Sequence, residues 1–303
     1  MMELTEFQSK IRTLLPETEL RFQEPMHSHT SFRIGGPAEV MAFPKNTQEL
    51  SALLKTSKLL DCKTAILGAG TNVLAPDEGI AGLVICLKDC MDGMEQLDDT
   101  RIRVAAGVTM TRAAVFAANV GLGGMEFAHG IPGTVGGGIY MNAGAYGGEM
   151  KDICLQVQVM DPDGQLKTLS PEQMGFAYRH SCLEQTGQIV ISADFQLTPK
   201  PVEEIRALMQ ELMERRKKSQ PLDKPSAGSA FKRPVGGYAA ALIEQAGLKG
   251  YRTGDAAISD KHAGFAVNLG NATAGQVKTL LETVANKVYE NSGIRLEPEV
   301  RIW

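Results

Sequence analysis

Apolar residues recur at helical spacing in several stretches of the chain. Over 3–15, Leu4, Phe7, Ile11, Leu14 and Leu15 fall close to one face and predict a helix. A second helix is predicted over 47–60, capped at Thr47, with Glu49 in its first turn and Leu50, Leu53 and Leu54 turned inward. Thr109 caps a third that runs to about Val120 and stops at Gly121. The clearest periodicity lies over 202–218, through Ile205, Leu208, Met209, Leu212 and Met213. Further helices are predicted at about 238–246 and 274–290. Between them stand short β runs: Thr64–Leu67, Leu83–Leu87, Ile102–Val104, 153–160, 165–169, the alternating Ile189–Leu197, 264–269, and a last strand over 294–303. Asp161-Pro-Asp-Gly164 between two of these runs predicts a hairpin turn.

Strands and helices mix without a regular βαβ array, so the fold class is α+β. The 303 residues suffice for two domains, and Pro199-Lys-Pro201 marks a boundary. A net charge of −4 argues against a broad nucleic-acid footprint. The five cysteines are odd in number and irregularly spaced, which predicts free thiols in a reducing compartment. Cys86 and Cys90 lack a second pair to complete a zinc site, and His27 and His29 lack a third ligand, so no metal is expected. The N-terminus lacks a basic segment followed by an apolar one, and no apolar run approaches the roughly 20 residues that span a bilayer. A cytoplasmic protein is expected, without membrane insertion and without an obligate protein partner.

Two glycine-rich loops carry the chemistry. The denser is His129–Glu149, where Ile131, Pro132, Val135, Tyr140, Met141, Asn142 and Tyr146 interrupt the glycines. A flexible linker would be polar and monotonous. The expectation is a folded loop whose N–H groups face an anion, with apolar residues packed behind. The other loop is Leu67-Gly-Ala-Gly-Thr-Asn-Val-Leu74, directly after a β run. It lacks the third glycine and the following helix of a Rossmann loop, and the Gly-Lys-Ser/Thr of a P-loop. Alone this loop reads equally as a structural turn or a diphosphate site; two such loops together favour the phosphate site.

These loops resemble the FAD-binding domain of the p-cresol methylhydroxylase and vanillyl-alcohol oxidase type of flavoprotein. More narrowly, the chain resembles the UDP-N-acetylenolpyruvoylglucosamine reductase family. That likeness rests on Thr30-Ser-Phe-Arg-Ile-Gly-Gly-Pro-Ala38, Tyr178-Arg-His-Ser181, Ala227-Gly-Ser-Ala-Phe-Lys-Arg-Pro234, Ser259-Asp-Lys-His-Ala-Gly-Phe-Ala-Val-Asn268 and Leu296-Glu-Pro-Glu-Val-Arg301, in that order. The compact length is similar to the shorter subtype, which lacks a tyrosine-bearing insertion. The resemblance implies an FAD-binding domain over 1–200, in two subdomains meeting near 75–80, with 293–303 returning to it. A smaller α+β substrate-binding domain would cover 201–292. FAD contacts would come from Gly68, Ala69, Gly70, Thr71 and Asn72, and from Gly130, Ile131, Pro132, Gly133, Thr134, Gly136, Gly137 and Ala143. Some relatives bond the flavin to a histidine in the first loop. Thr71 or Asn72 stands there, so the FAD would be non-covalent.

The implied reaction reduces UDP-N-acetylglucosamine enolpyruvate to UDP-N-acetylmuramate, a peptidoglycan precursor. NADPH is the reductant, a hydride reaches C3 from the flavin N5, and a proton reaches C2. By resemblance Ser229 gives the proton, Arg179 holds the substrate carboxylate and Glu299 assists; Tyr178, Lys232, Arg233 and His262 contact substrate. The residues alone leave other roles open: a turn serine, a surface arginine, a structural histidine. On a strand Glu297 and Glu299 would share a face, and only the Glu-Val-Arg context favours Glu299. Lys217 and Lys218 end the 202–218 helix, where they could hold a diphosphate or complement the helix dipole. NADPH and the sugar nucleotide are expected to alternate in one cleft. The competing functions are another non-covalent FAD oxidoreductase and a non-enzymatic sugar-nucleotide-binding module.

Overall fold

The computed structural model describes residues 5–303. The first helix spans Glu6–Leu14, closed by a reciprocal Thr5/Gln8 cap; positions 3 and 4 of the expected 3–15 helix lie outside the described residues. The chain packs as two units of mixed helix and strand, an α+β fold.

One unit comprises the residues up to Glu24, Glu39–Ala69 and Ala81–Glu214. Its four-stranded sheet has the order Glu19–Pro25, Pro37–Phe43, Ile80–Cys86, Thr64–Leu67. The last two run parallel, with Leu67 opposite Cys86. The helix Thr47–Leu59 is capped by Asn46, one residue earlier than expected, because the Asn46 side chain accepts the Glu49 N–H at 2.9 Å. A second, five-stranded sheet orders Leu166–Leu169, Cys154–Met160, Ile189–Gln196, Arg101–Ala105 and Met94–Gln96, all antiparallel. The hairpin turn at Asp161–Gly164 forms as expected, with Gly164 at φ +78. The strand Ile189–Gln196 is buried from Ile189 through Phe195. Its alternation in sequence does not translate into one wet face, because both faces are covered.

The other unit comprises Pro25–Ala38, Gly70–Ile80 and Arg215–Trp303. Ser226–Ser229, Phe265–Asn268, Ala256–Ile258 and Arg252–Thr253 form an antiparallel sheet in that order. The helix Ala274–Ser292 buries Val277, Leu280, Leu281, Val284 and Val288 in this unit's core. Asp77 caps that helix by accepting the N–H groups of Ala274 (2.7 Å) and Gly275 (3.0 Å).

This division departs from a boundary at Pro199–Pro201. The helix Val202–Ser219 continues past it, and its Ile205 and Met209 belong to the first core. Phe32, Ile34 and Leu74 instead join the second core, so two early segments pack with the C-terminal third. The expected strand over 294–303 shrinks to Arg301–Ile302, parallel to Val73–Leu74. Ahead of it, Pro298 makes only an isolated bridge to Phe231. No described helix is long and apolar enough to cross a membrane, and no group of metal-ligating side chains clusters among the described residues.

Candidate active site

The first glycine loop is shaped by close approach. A Cβ on Gly68 would strike the Thr134 hydroxyl. Gly70 adopts φ +62, and a Cβ there would meet the His29 carbonyl and lie 2.9 Å from the Thr30 Cα. Ser31 locks this turn: its N–H donates to the Gly70 carbonyl (3.0 Å) and its hydroxyl to the Ser226 carbonyl (2.6 Å). The Asn72 side-chain amide donates to the Glu299 carbonyl at 3.2 Å, and the Arg301 N–H to the Asn72 carbonyl at 2.9 Å. The loop therefore carries the C-terminal segment.

The second stretch is not an open loop throughout. Val135–Tyr140 forms a helix of sequence Val-Gly-Gly-Gly-Ile-Tyr, capped by Thr134. Three consecutive glycines are poor helix formers, so sequence pattern does not predict it. Tertiary packing overrides the propensity. A Cβ on Gly136 would lie 3.0 Å from the Ala106 Cβ, and one on Gly138 2.7 Å from the Met110 sulfur. The glycines let this helix press against its neighbours. Several N–H groups expected to face an anion are consequently used inside the protein. Val135 donates to Val108 (2.8 Å), Gly136 to Ala106 (2.9 Å), Ile131 to Ala128 (3.1 Å), Gly130 to the Thr111 hydroxyl (3.3 Å) and Gly137 to the Thr134 hydroxyl (3.4 Å). Among the described residues, the N–H groups of Ala69, Gly133 and Thr134 in this unit meet no protein acceptor, nor do those of Gly70 and Asn72 in the other. In each unit, glycine cradles that a Cβ would fill and backbone donors left over fit a phosphate group.

Beyond that helix, Gly144–Ala145 and Gly148–Glu149 pair as a small hairpin, turned through Tyr146 (φ +54) and Gly147 (φ +89). Two positive φ angles are the mark of a type I′ turn. Ala143 precedes this hairpin and accepts the Met150 N–H at 3.0 Å. In the same unit, Tyr178 and Arg179 occupy the tip of a tight turn. Ala177 and His180 close it by exchanging both backbone hydrogen bonds, at 3.1 and 3.2 Å. Arg179 holds φ +54, a conformation that a non-glycine residue keeps only where its surroundings impose it. Its guanidinium lies 5.1 Å from the Tyr178 ring centre and reaches the Gly144 carbonyl at 3.5 Å.

The remaining candidates belong to the second unit. Ser229 ends the strand Ser226–Ser229 opposite Phe265, after a register shift between Ser226 and Ser229, where Gly228 holds φ +81. Register shifts of this kind often stand where a side chain is re-aimed at a site. Ala230 is clamped between two segments: its N–H donates to Gly264 (2.8 Å) and its carbonyl accepts from Glu299 (2.9 Å). Lys232 likewise donates its N–H to the Glu297 carbonyl at 2.9 Å. Ser229, Glu299 and Lys232 thus sit on adjoining strips of backbone. The two carboxylates differ in setting. Glu297 is 73% exposed and meets Lys232 Nζ at 3.3 Å, whereas Glu299 is half-buried. Arg233 stacks 4.0 Å over the exposed Tyr238 ring.

His262 Nδ1 accepts the Gly264 N–H at 3.1 Å, so a neutral ring carries its proton on Nε2. Its ring meets Phe265 edge-on, 5.1 Å between centres. Burial lowers its pKa below the usual histidine range, ahead of a smaller contribution from Lys249. The unfolded chain then binds more protons than the folded one as pH falls through about 6.5. Stability is therefore expected to decline on acidification from about pH 7 to 5, less steeply in His262→Gln, as read from urea midpoints. Equal slopes in the two proteins would refute the assignment.

Ser31 and Asn142 were not legible as important from pattern alone. Both stand within the quoted motifs, and their roles emerge only from partners distant in sequence.

The two α+β units and their glycine-rich loops suit a nucleotide-binding protein, and the family comparisons make it a flavin-dependent oxidoreductase. Residues 38–170 match an FAD-binding domain family. Residues 220–303 match the C-terminal domain of UDP-N-acetylenolpyruvoylglucosamine reductase. A reductase of that name from Agathobacter rectalis is 44% identical, covering 98% of both chains. One from Caldanaerobacter subterraneus is 46% identical over 97% of this chain and 96% of the relative. The solved structure of the Thermus caldophilus reductase superposes with a TM-score of 0.79 at 36% identity, covering 95% of this chain and 99% of that one. The chain belongs to the UDP-N-acetylenolpyruvoylglucosamine reductase family, and it is an FAD-dependent oxidoreductase of peptidoglycan synthesis.

Proposed function

We propose that the chain reduces UDP-N-acetylglucosamine enolpyruvate to UDP-N-acetylmuramate at the expense of NADPH, with Ser229 as the proton donor. What supports this reading is that Ser229 ends a strand after a register shift and that its neighbour Ala230 accepts the Glu299 N–H. FAD would be held non-covalently by Gly68–Asn72 and by Gly130–Thr134, Gly136, Gly137 and Ala143, and would supply two-electron transfer between NADPH and the substrate.

The chain's own residues do the rest. Arg179 offers a planar fork of donors to the enolpyruvyl carboxylate, where negative charge grows as C3 is reduced. Ser229 delivers a proton to C2, which restores a neutral lactyl carbon. A serine hydroxyl is a weak acid, and Glu299 and its neighbours assist that delivery. Lys232, Arg233, Tyr178 and His262 orient the sugar nucleotide. The glycine-rich loops serve one dinucleotide, and the sequence carries no third of their kind. NADPH and substrate therefore take turns. The reaction belongs in the cytoplasm, where both nucleotides are at hand.

Alternation predicts parallel lines in double-reciprocal plots of steady-state rates, with each substrate inhibiting competitively against the other at high concentration. Intersecting lines would point to a ternary complex and overturn the shared place.

A further inference from the structure

Three non-glycine residues of the first unit hold left-handed backbone close to one another in the fold: Asn142 (φ +41), Tyr146 (φ +54) and Arg179 (φ +54). Such conformations persist where the surroundings over-determine them, and they cluster at functional sites. Asn142 is fully buried, and its side chain is satisfied on both atoms. Its Nδ2 donates to the Ala177 carbonyl at 3.0 Å and to Glu149 Oε2 at 2.9 Å. Its Oδ1 accepts the Lys151 N–H at 3.0 Å. Ala177 is the foot of the turn that presents Arg179. On the other side of the turn, the buried Ser181 donates its hydroxyl to the Tyr140 carbonyl at 2.7 Å. The arginine turn is therefore bolted on both flanks to residues 140–149, the far end of the second glycine-rich stretch.

We propose that Asn142 is a positioning residue for Arg179, fixing the arginine turn to the segment that follows the glycine-rich helix. The inference rests on the reading of Arg179 as the substrate-carboxylate ligand. Asparagine suits the post on two counts. It tolerates positive φ better than other residues with a side chain, and its amide can donate twice while accepting once. Glu149 completes the brace. Lys151, first, and Asn142 hold its carboxyl below the ordinary range, and Arg179 adds to the same effect. A fixed turn keeps the guanidinium aimed without a search through rotamers and backbone states, and misplacement by about 1 Å can cost roughly 10²-fold in rate.

The test uses flavin-loaded protein. Asn142→Gly relaxes the backbone and removes every side-chain bond; Asn142→Asp keeps shape but loses both donations. If the glycine variant folds poorly, Ser181→Ala removes the opposite bolt. Flavin content and the rate of bleaching by NADPH should stay within about twofold of the parent, while reoxidation by the enolpyruvyl sugar nucleotide slows about tenfold or more. The loss should shrink when Arg179→Ala is already present, because the two act through one group. Parent-like reoxidation in Asn142→Gly and Ser181→Ala overturns the proposal. So does an equal fall in flavin content and both half-reactions, which marks a purely structural role. If Arg179→Ala alone reoxidises normally, the carboxylate reading itself fails, and the positioning role fails with it.

Discussion

Ser229→Ala is expected to bleach normally with NADPH and to reoxidise with the enolpyruvyl substrate roughly 10²–10⁴-fold more slowly, the range that a positioned proton donor contributes. The variant removes one hydroxyl from a half-buried strand end whose backbone partners remain: Phe265 across the sheet, and Gly264 and Glu299 on the next residue. Stability and flavin content should therefore be close to the parent. The asymmetry between half-reactions is the informative part, because only substrate reduction needs a proton at C2. Single-turnover absorbance near about 450 nm reads both halves separately. Equal rates in both halves would remove Ser229 from the chemistry.

Gly70→Ala is expected to yield protein without flavin and with a markedly lower melting temperature. Two costs combine. An L-residue at φ +62 adds strain of about 1–3 kcal/mol. The new Cβ also meets backbone, the His29 carbonyl and Thr30 Cα, which cannot swing aside as a side chain would; overpacking of this kind costs about 1–3 kcal/mol. The loop would shift, and with it the Ser31 hydrogen bond and the N–H groups proposed to hold the flavin. Gly247→Ala is the control. Gly247 has a similar φ, +72, but a Cβ there meets nothing within 4 Å. That variant should lose a little stability and keep its flavin. A flavin-replete Gly70→Ala would contradict the role given to the first loop.

Much of the fold is readable from periodicity where burial is one-sided. The long helices Val202–Ser219 and Ala274–Ser292 show their apolar stripes plainly. The hairpin at Asp161–Gly164 announces itself through turn chemistry. The helix Val135–Tyr140 is hidden because its glycines serve close packing on Ala106 and Met110, a requirement set by other parts of the chain. The domain boundary is hidden for a similar reason: Phe32, Ile34 and Leu74 look like ordinary core residues, and nothing local says which core they enter. The C-terminal strand is short because the segment ahead of it pairs only through the isolated bridge of Pro298 to Phe231, which no local pattern announces. Motifs locate the candidate site residues better than patterns do. They name Ser229, Arg179 and Glu299 as points on a line. The backbone bonds from Ala230 to Glu299, the Asn72 link to the same residue and the Asn142 brace under Arg179 exist only in the folded chain.

The central claim is that electrons taken from NADPH are passed to an enolpyruvyl sugar nucleotide. It is tested most directly by anaerobic double mixing of the flavin-loaded wild-type protein. One equivalent of NADPH should bleach the band near about 450 nm. Addition of UDP-N-acetylglucosamine enolpyruvate should then restore it without oxygen, with one equivalent of UDP-N-acetylmuramate formed. Flavin that bleaches with NADPH but stays reduced in the presence of that substrate would contradict the account.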